Sequence, residues 1–211
     1  MSIRYRDVTE SLRTAYDGAV EHRDRTEKTP WKITERAGFL RRLRDENCGR
    51  LLELGAGTGQ DSEFFAGHGL QVVATDLSPQ MVSRCREKGL DARVMDFLHL
   101  DFPAGSFDAV YALNCLLHVP NADLPAVLDV IASVLRPGGL FFLGVYGADR
   151  AKEGPLEDGI HRPPRFFSWR TDEQIQQFTR RCFDIVDFHV VGLERLHFQS
   201  LTLRRPGPAP A

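Results

Sequence analysis

Apolar positions repeat along this chain with two different periods. Val8, Leu12, Tyr16 and Val20 recur at four-residue steps, which places them on one face of a helix over residues 8–20. After a polar break at 26–30, Ile33, Ala37, Leu40 and Leu43 face inward on a second helix over 32–44, ended by Asn47-Cys48-Gly49. From Arg50 the period changes. Short apolar runs at 51–54, 71–75, 92–95, 109–113 and 140–145 alternate with amphipathic helices at 60–66, 79–88 and 123–135. Such runs mark parallel strands covered on both faces and joined by crossover helices. The third of these helices ends at Arg136-Pro137-Gly138-Gly139, where proline cannot continue it and glycine can turn it. After Tyr146, 25 residues containing three prolines show no period, and a loop of that length is functional or mobile in kind. A helix over 171–180 and strands at 183–190 and 196–203 complete the pattern. The last two strands leave no room for a crossover helix and are expected to pair as an antiparallel hairpin.

Composition narrows the function classes. A length of 211 residues favours a single domain, here 1–205, with residues 1–46 as a helical cap and 206–211 as a disordered tail. Lys+Arg 27 against Asp+Glu 29 leaves a formal charge of -2, which opposes attachment to nucleic acid or anionic membrane by charge. No apolar run reaches the roughly 18 residues of a membrane span, and no apolar stretch follows the first charges as a secretory signal requires. Cys48, Cys85, Cys115 and Cys182 are scattered, without a Cys-x-x-Cys pair. Neither a disulfide frame nor a metal site is expected, and a reducing cytoplasm fits.

The chemistry concentrates at Leu51-Leu52-Glu53-Leu54-Gly55-Ala56-Gly57-Thr58-Gly59-Gln60-Asp61. An apolar strand runs into alternating glycines and then a helix, a turn in which backbone can take positive φ and a ligand can approach without meeting a Cβ. Twenty-one residues after Gly55 the second strand ends at Asp76. In a parallel sheet that carboxylate lies beside the glycine turn, where it can accept hydrogen bonds from a ribose diol. A plain capping Asp beside a glycine turn is the alternative. The spacing Gly-x-Gly-x-Gly departs from the Gly-x-Gly-x-x-Gly of dinucleotide sites, and no Gly-Lys-Ser/Thr follows. Glu53 would repel a pyrophosphate but attract an ammonium. The residues therefore suit a phosphate-free nucleoside with a cationic amino-acid tail.

With Val73-Ala74-Thr75-Asp76-Leu77-Ser78-Pro79, Met95-Asp96-Phe97, Phe107-Asp108-Ala109-Val110, Leu116-Leu117-His118-Val119-Pro120 and Leu135-Arg136-Pro137-Gly138-Gly139 in order, the chain resembles the class I S-adenosylmethionine-dependent methyltransferases. More narrowly it resembles the ubiquinone and menaquinone methyltransferase-like group. The resemblance implies an α/β, Rossmann-like seven-stranded sheet in the order 3-2-1-4-5-7-6, with strand 7 antiparallel and helices on both faces. It implies S-adenosyl-L-methionine as cofactor and S-adenosyl-L-homocysteine as product. Gly55, Ala56 and Gly57 would line the methionine and ribose, Asp76 would hold the ribose hydroxyls, and Leu77 would pack on adenine. Asp96 would accept from the adenine amino group beside Phe97. Leu113 and Asn114 would meet the methionine ammonium, and Arg36, set against a plain surface arginine, would hold the cofactor carboxylate. Relatives more often carry Asp at position 53, and Glu53 keeps that charge.

Methyl transfer from a sulfonium needs alignment and exclusion of water more than acid–base chemistry. His118 is the candidate base, with a positioning role for its ring as the alternative. Tyr16 either caps the site or belongs to the core. The segment 154–169 resembles the family's insert before the last helix, and supplies His161, Arg165 and Phe167 as candidate acceptor contacts, with Arg165 for an anion. The bland alternative is that its aromatic residues only seat the segment on the sheet. No Asn/Asp-Pro-Pro-aromatic box follows Asn114 and no Asp-Asn pair follows Tyr146, which opposes nucleic-acid amino methylation and metal-dependent catechol methylation. The chain is also short for the added dimerisation domain of large plant-type enzymes. The expectation is an enzyme that methylates oxygen or nitrogen of a small molecule, as monomer or homodimer. A cofactor-binding protein without turnover is the alternative, while Glu53 and the glycine spacing oppose a nicotinamide oxidoreductase.

Overall fold

The computed structural model describes residues 3–193 and 196–207. Along the chain lie helices α1 (Tyr5–Asp17), α2 (Val20–Arg25) and α3 (Pro30–Asp45), then β1 (Arg50–Leu54), α4 (Gln60–Gly67), β2 (Gln71–Asp76), α5 (Pro79–Glu87) and β3 (Asp91–Val94). They are followed by β4 (Phe107–Leu113), a 3₁₀ turn at Leu116–His118, α6 (Leu124–Val134) and β5 (Leu135–Tyr146). The chain continues with β6 (Lys152–Leu156), β7 (Arg165–Trp169), α7 (Asp172–Thr179), β8 (Asp184–Leu193) and β9 (Leu196–Arg204).

Strands β1 to β5 pair with one another in parallel, and β9 runs antiparallel to both β5 and β8. The order is β3-β2-β1-β4-β5-β9-β8. This corrects the expected numbering 3-2-1-4-5-7-6, because β6 and β7 form a separate two-stranded ribbon inside the stretch read as a loop. Gly154 and Pro155 hid β6, since both residues are disfavoured within strands. The α/β class and the closing hairpin stand as expected.

Successive side chains of the central strands divide between the two faces. Leu52, Leu54, Val110, Phe141 and Leu143 pack with α1 and α6 on one side. Leu51, Ala109, Tyr111, Leu140 and Phe142 pack with Phe39, Leu40 and Leu43 of α3 on the other. Each large side chain buried this way contributes about 1.5–3 kcal/mol.

Several expectations change at the N-terminus. The helix expected over 8–20 breaks at Gly18 and Ala19, where glycine weakens the helix and Ala19 leaves helical φ/ψ. Val20 therefore starts α2, which buries no residue and is held instead by ion pairs of Glu21 and Asp24 with Arg84 and of Asp24 with Lys88. Ile33 is exposed, and Phe39 takes the inward position on α3. Arg136-Pro137-Gly138-Gly139, expected as a turn, is already part of β5, with Leu135 paired to Phe107. In the tail Pro206 and Gly207 carry no regular structure, while 208–211 lie outside the described residues.

Helix α1 roofs the carboxyl edge of the sheet because it is tied down at both ends. At its start the buried Asp123 carboxylate accepts the Tyr5 N–H at 2.6 Å and pairs with Arg4. At its end the Asp17 carboxylate accepts from the Ser78 hydroxyl at 2.5 Å and the Gln80 N–H at 3.2 Å. A second anchor holds the turn after β4: the buried Arg170 donates to Asn121 Oδ1 at 2.7 Å and to the Val119 carbonyl at 2.5 Å.

Asp123→Ala is expected to lose about 1–3 kcal/mol by stranding the buried Tyr5 N–H, a fall in Tm of a few degrees at this size. Thermal denaturation with hydrogen exchange on α1 checks this. An unchanged Tm and unchanged α1 protection would contradict the clamp.

Candidate active site

The carboxyl ends of β1, β2 and β4 meet at one crevice, floored by the turn from β1 into α4. Gly55 sits at φ +62°, and a Cβ there would overlap the Cys115 side chain. The protein's own packing thus requires this glycine, in addition to the positive φ. Gly57, at φ +58°, differs: a Cβ there would meet nothing within 4 Å, and its bare backbone lines the open crevice. Ligand approach without a Cβ is therefore a property of Gly57.

Asp76 closes β2 beside that turn. Its Oδ2 accepts the Gly57 N–H at 2.9 Å and its Oδ1 the Ser78 N–H at 2.9 Å. A carboxylate offers about four lone-pair sites, so each oxygen keeps capacity for one hydroxyl of a diol. Burial raises the Asp76 pKa, and the Ser78 and Gly57 amides oppose that rise.

The crevice has two compartments that share Arg23, Gly55, Gly57, Leu113 and Asn114. The first, about 520 Å³, has apolar and aromatic walls from Tyr5, Leu12, Tyr16, Leu77 and Phe97, with Asp76 and His118 as polar groups. The second, about 580 Å³, is charged, with Lys28, Lys32, Glu53 and Asp61 around Ala56. Between them stands Asn114, at φ +55°, whose buried Oδ1 has no partner among the described residues. A base in the apolar compartment, a sugar diol at Asp76 and a zwitterionic tail among the charges would match this division. The nucleoside cofactor implied by the sequence resemblance fits the residues present.

In the charged compartment Glu53 is buried and accepts from the Ser62 hydroxyl. Burial and the neighbouring Asp61 charge push its pKa upward, toward a neutral acid while no cation faces it. Arg36 does not point a free guanidinium at the crevice. It donates to Asp61 Oδ1 at 2.9 Å and lies over the Phe64 ring, and Lys28 holds the other Asp61 oxygen at 2.8 Å. Lys32 has no carboxylate within 4 Å among the described residues. Burial, with Lys28 and Arg23 nearby, lowers its pKa to about 8.

His118 and Tyr16 meet in the apolar compartment. His118 Nδ1 lies 2.6 Å from the Phe166 carbonyl, which can only accept, so the ring proton sits on Nδ1. Nε2 then accepts the Tyr16 O–H at 2.6 Å. Burial drives the His118 pKa down to about 3, with Arg165 nearby adding to the fall. Burial raises that of Tyr16 against the pull of Arg165.

The insert residues stand behind this pair and do not line either compartment. Arg165 donates to Tyr16 Oη at 2.8 Å and to Asp158 Oδ2 at 2.6 Å, so it is committed inside the protein and corrects the expectation of an open anion contact. His161 is buried against the Tyr16 ring with Nδ1 on Asp158. Phe167 packs edge-on against His118 at 4.7 Å. Asp96 also lies outside the lining, its carboxylate taken by Leu98 N–H at 2.8 Å and His99 at 2.8 Å. Phe97 does line the crevice and stacks on Tyr5 at 5.7 Å.

Sequence reasoning missed Tyr5, Arg23, Lys28, Lys32 and Asp61. The four-residue step from Lys32 to Arg36 was the available signal, since it puts basic side chains along one edge of α3, with Lys28 just before that helix. Among the described residues no group of three or more His, Cys, Asp or Glu could hold a metal ion, and no helix is long and apolar enough to cross a membrane.

Residues 51–139 match a family described as a methyltransferase domain. Phosphatidylethanolamine N-methyltransferase of Cereibacter sphaeroides is 32% identical over 140 residues, covering 62% of this chain and 68% of that protein. Ubiquinone biosynthesis O-methyltransferase of Xanthomonas axonopodis pv. citri is 44% identical over 101 residues, and the match spans only 41% of that relative. Among solved structures, Burkholderia thailandensis 1,6-didemethyltoxoflavin-N1-methyltransferase, with bound 1,6-didemethyltoxoflavin and S-adenosylhomocysteine, superposes with TM-score 0.74. It covers 98% of this chain and 92% of its own at 21% identity, a likeness of fold.

Glu53 also generates a pH prediction. A carboxyl whose folded pKa lies above its ordinary 4.5 costs stability once pH passes 4.5, and the cost grows until the folded pKa is reached. Glu53→Gln is therefore expected to match the parent in Tm near pH 4.5 and to exceed it increasingly toward alkaline pH. Parallel Tm curves across that range would contradict a proton held on Glu53.

Proposed function

Because the chain belongs to the class I S-adenosylmethionine-dependent methyltransferases, we propose that it methylates oxygen or nitrogen of a small-molecule acceptor seated against Tyr16 and His118. The cofactor supplies a methyl group on a sulfonium, open to in-line displacement by a lone pair. Everything else falls to this chain. Asp76 would hold the sugar hydroxyls, Leu77 and Phe97 the base, and Gly55, Ala56 and Gly57 the approach along the turn. Leu113, Asn114 and Glu53 would take the ammonium, and Lys32 the carboxylate that Arg36 does not reach.

Acceptor alignment would rest on Tyr16. Its proton points to His118 Nε2 and Arg165 donates to its oxygen, which leaves one lone pair for an acceptor N–H or O–H. A proton leaving the acceptor would pass to Tyr16 while the Tyr16 proton moves to His118. With a pKa near 3, His118 rests neutral at working pH and would hold such a proton only weakly, before passing it to water. That favours acceptors nucleophilic enough to attack before the proton leaves, neutral aromatic amines above alcohols. The observation that carries this reading is the half-buried Tyr16–His118 hydrogen bond opening on the same crevice as Asp76 and Gly57. The names of the two curated relatives, one an N- and one an O-methyltransferase, support both acceptor atoms.

The test is transfer of labelled methyl to a panel of amines and phenols. His118→Ala is expected to lower turnover by about 10²-fold by releasing Tyr16 from its fixed orientation, while S-adenosylhomocysteine affinity stays the same. In nitrogen-detected NMR the parent His118 should show an Nδ1–H tautomer with no titration between about pH 5 and 8, where an unperturbed imidazole would titrate. Parental rates in the variant, or an imidazole titrating near 6.5, would contradict the assignment.

A further inference from the structure

The cations around the crevice are unevenly committed. Lys28 and Arg36 both serve Asp61, and Arg165 serves Asp158 and Tyr16. Arg84 and Lys88 absorb the acidic residues of α2, Glu21 and Asp24. This leaves Arg23, on the crevice side of α2, with no carboxylate within 4 Å among the described residues. Lys32 is the other cation of the crevice in that condition, and it lines only the charged compartment. Arg23 lines both. Its charge bears on Asp76, Tyr16 and His118, three residues that line the apolar compartment.

Resting on the methyltransferase reading above, we infer that the acceptor carries an oxyanion, carboxylate or phosphate, and that Arg23 is the residue that selects it. Two physical arguments carry this. Among the described residues, the ionisable groups of the apolar compartment besides Arg23 are Asp76, Tyr16, Tyr5, Cys115 and His118. Of these Asp76 is engaged by backbone amides and His118 is neutral, so Arg23 is the one cation an entering anion meets there, and no carboxylate lies within 4 Å of it among the described residues. The cofactor also brings a positive sulfonium into the same crevice. An anion between two cations relieves their repulsion, whereas a cationic acceptor would add to it. Arg23 has a planar fork of donors suited to a carboxylate or phosphate, and its place on a surface helix lets it follow acceptors of different length.

Calorimetric titration of the S-adenosylhomocysteine-loaded protein with benzoate, phenyl phosphate and neutral benzamide tests this. At least one anion is expected to bind about tenfold or more tightly than benzamide, the scale of a charge-assisted hydrogen bond. In Arg23→Gln that gap should close while S-adenosylhomocysteine affinity stays within about twofold. Benzamide binding as tightly as the anions, or no anion binding, would overturn the inference. So would a tenfold loss of S-adenosylhomocysteine affinity in Arg23→Gln, which would assign Arg23 to the cofactor carboxylate. Failure of the parent protein to bind S-adenosylhomocysteine would instead overturn the cofactor reading beneath it.

Discussion

The site depends on one carboxylate that joins two strand ends. Asp76 terminates β2 and receives the Gly57 amide from the turn after β1 and the Ser78 amide at the start of α5. Those bonds fix the glycine turn against the neighbouring strand, and Ser78 in turn caps α5 through Met81 N–H and holds Asp17 at the end of α1. Floor, wall and roof of the crevice are thus tied through residues 76–78. The open sheet makes the rest possible, since ligands of such folds lie beyond the carboxyl ends of the strands.

Burial then sets the electrostatics. Removing His118 from water keeps it neutral and turns it into a hydrogen-bond acceptor for Tyr16, and removing Glu53 from water holds it back from ionising. Both are side chains that would be charged or half-charged at the surface. The same desolvation makes committed ion pairs necessary elsewhere, as at Asp61 with Lys28 and Arg36. Lys32 and Arg23, which lack such a commitment among the described residues, are the crevice cations proposed above for ligands.

Local chemistry decided what could be read from the chain itself. The β1 strand, the glycine turn and the distance to Asp76 are set by neighbours in sequence, and the structure places them as expected. Positions set by contacts far apart in sequence were harder. Arg36 was expected at a cofactor carboxylate, but Asp61, 25 residues away, holds it. Arg165 looked open, yet Tyr16, 149 residues away, and Asp158 satisfy it. The ribbon of β6 and β7 escaped notice because Gly154 and Pro155 break the strand pattern, and its pairing shows in the register from Lys152 with Trp169 to Leu156 with Arg165. Tyr16 was ambiguous on the helix wheel and gained a role only once Asp123 and Asp17 had fixed how α1 lies.

The central claim is that Asp76 grips the sugar of the bound nucleoside. Calorimetry of S-adenosylhomocysteine with Asp76→Ala tests it most directly. Loss of about 1–3 kcal/mol of binding free energy, as expected when a buried hydrogen-bonding partner is removed, is the predicted result, and affinity equal to that of the parent protein would contradict it.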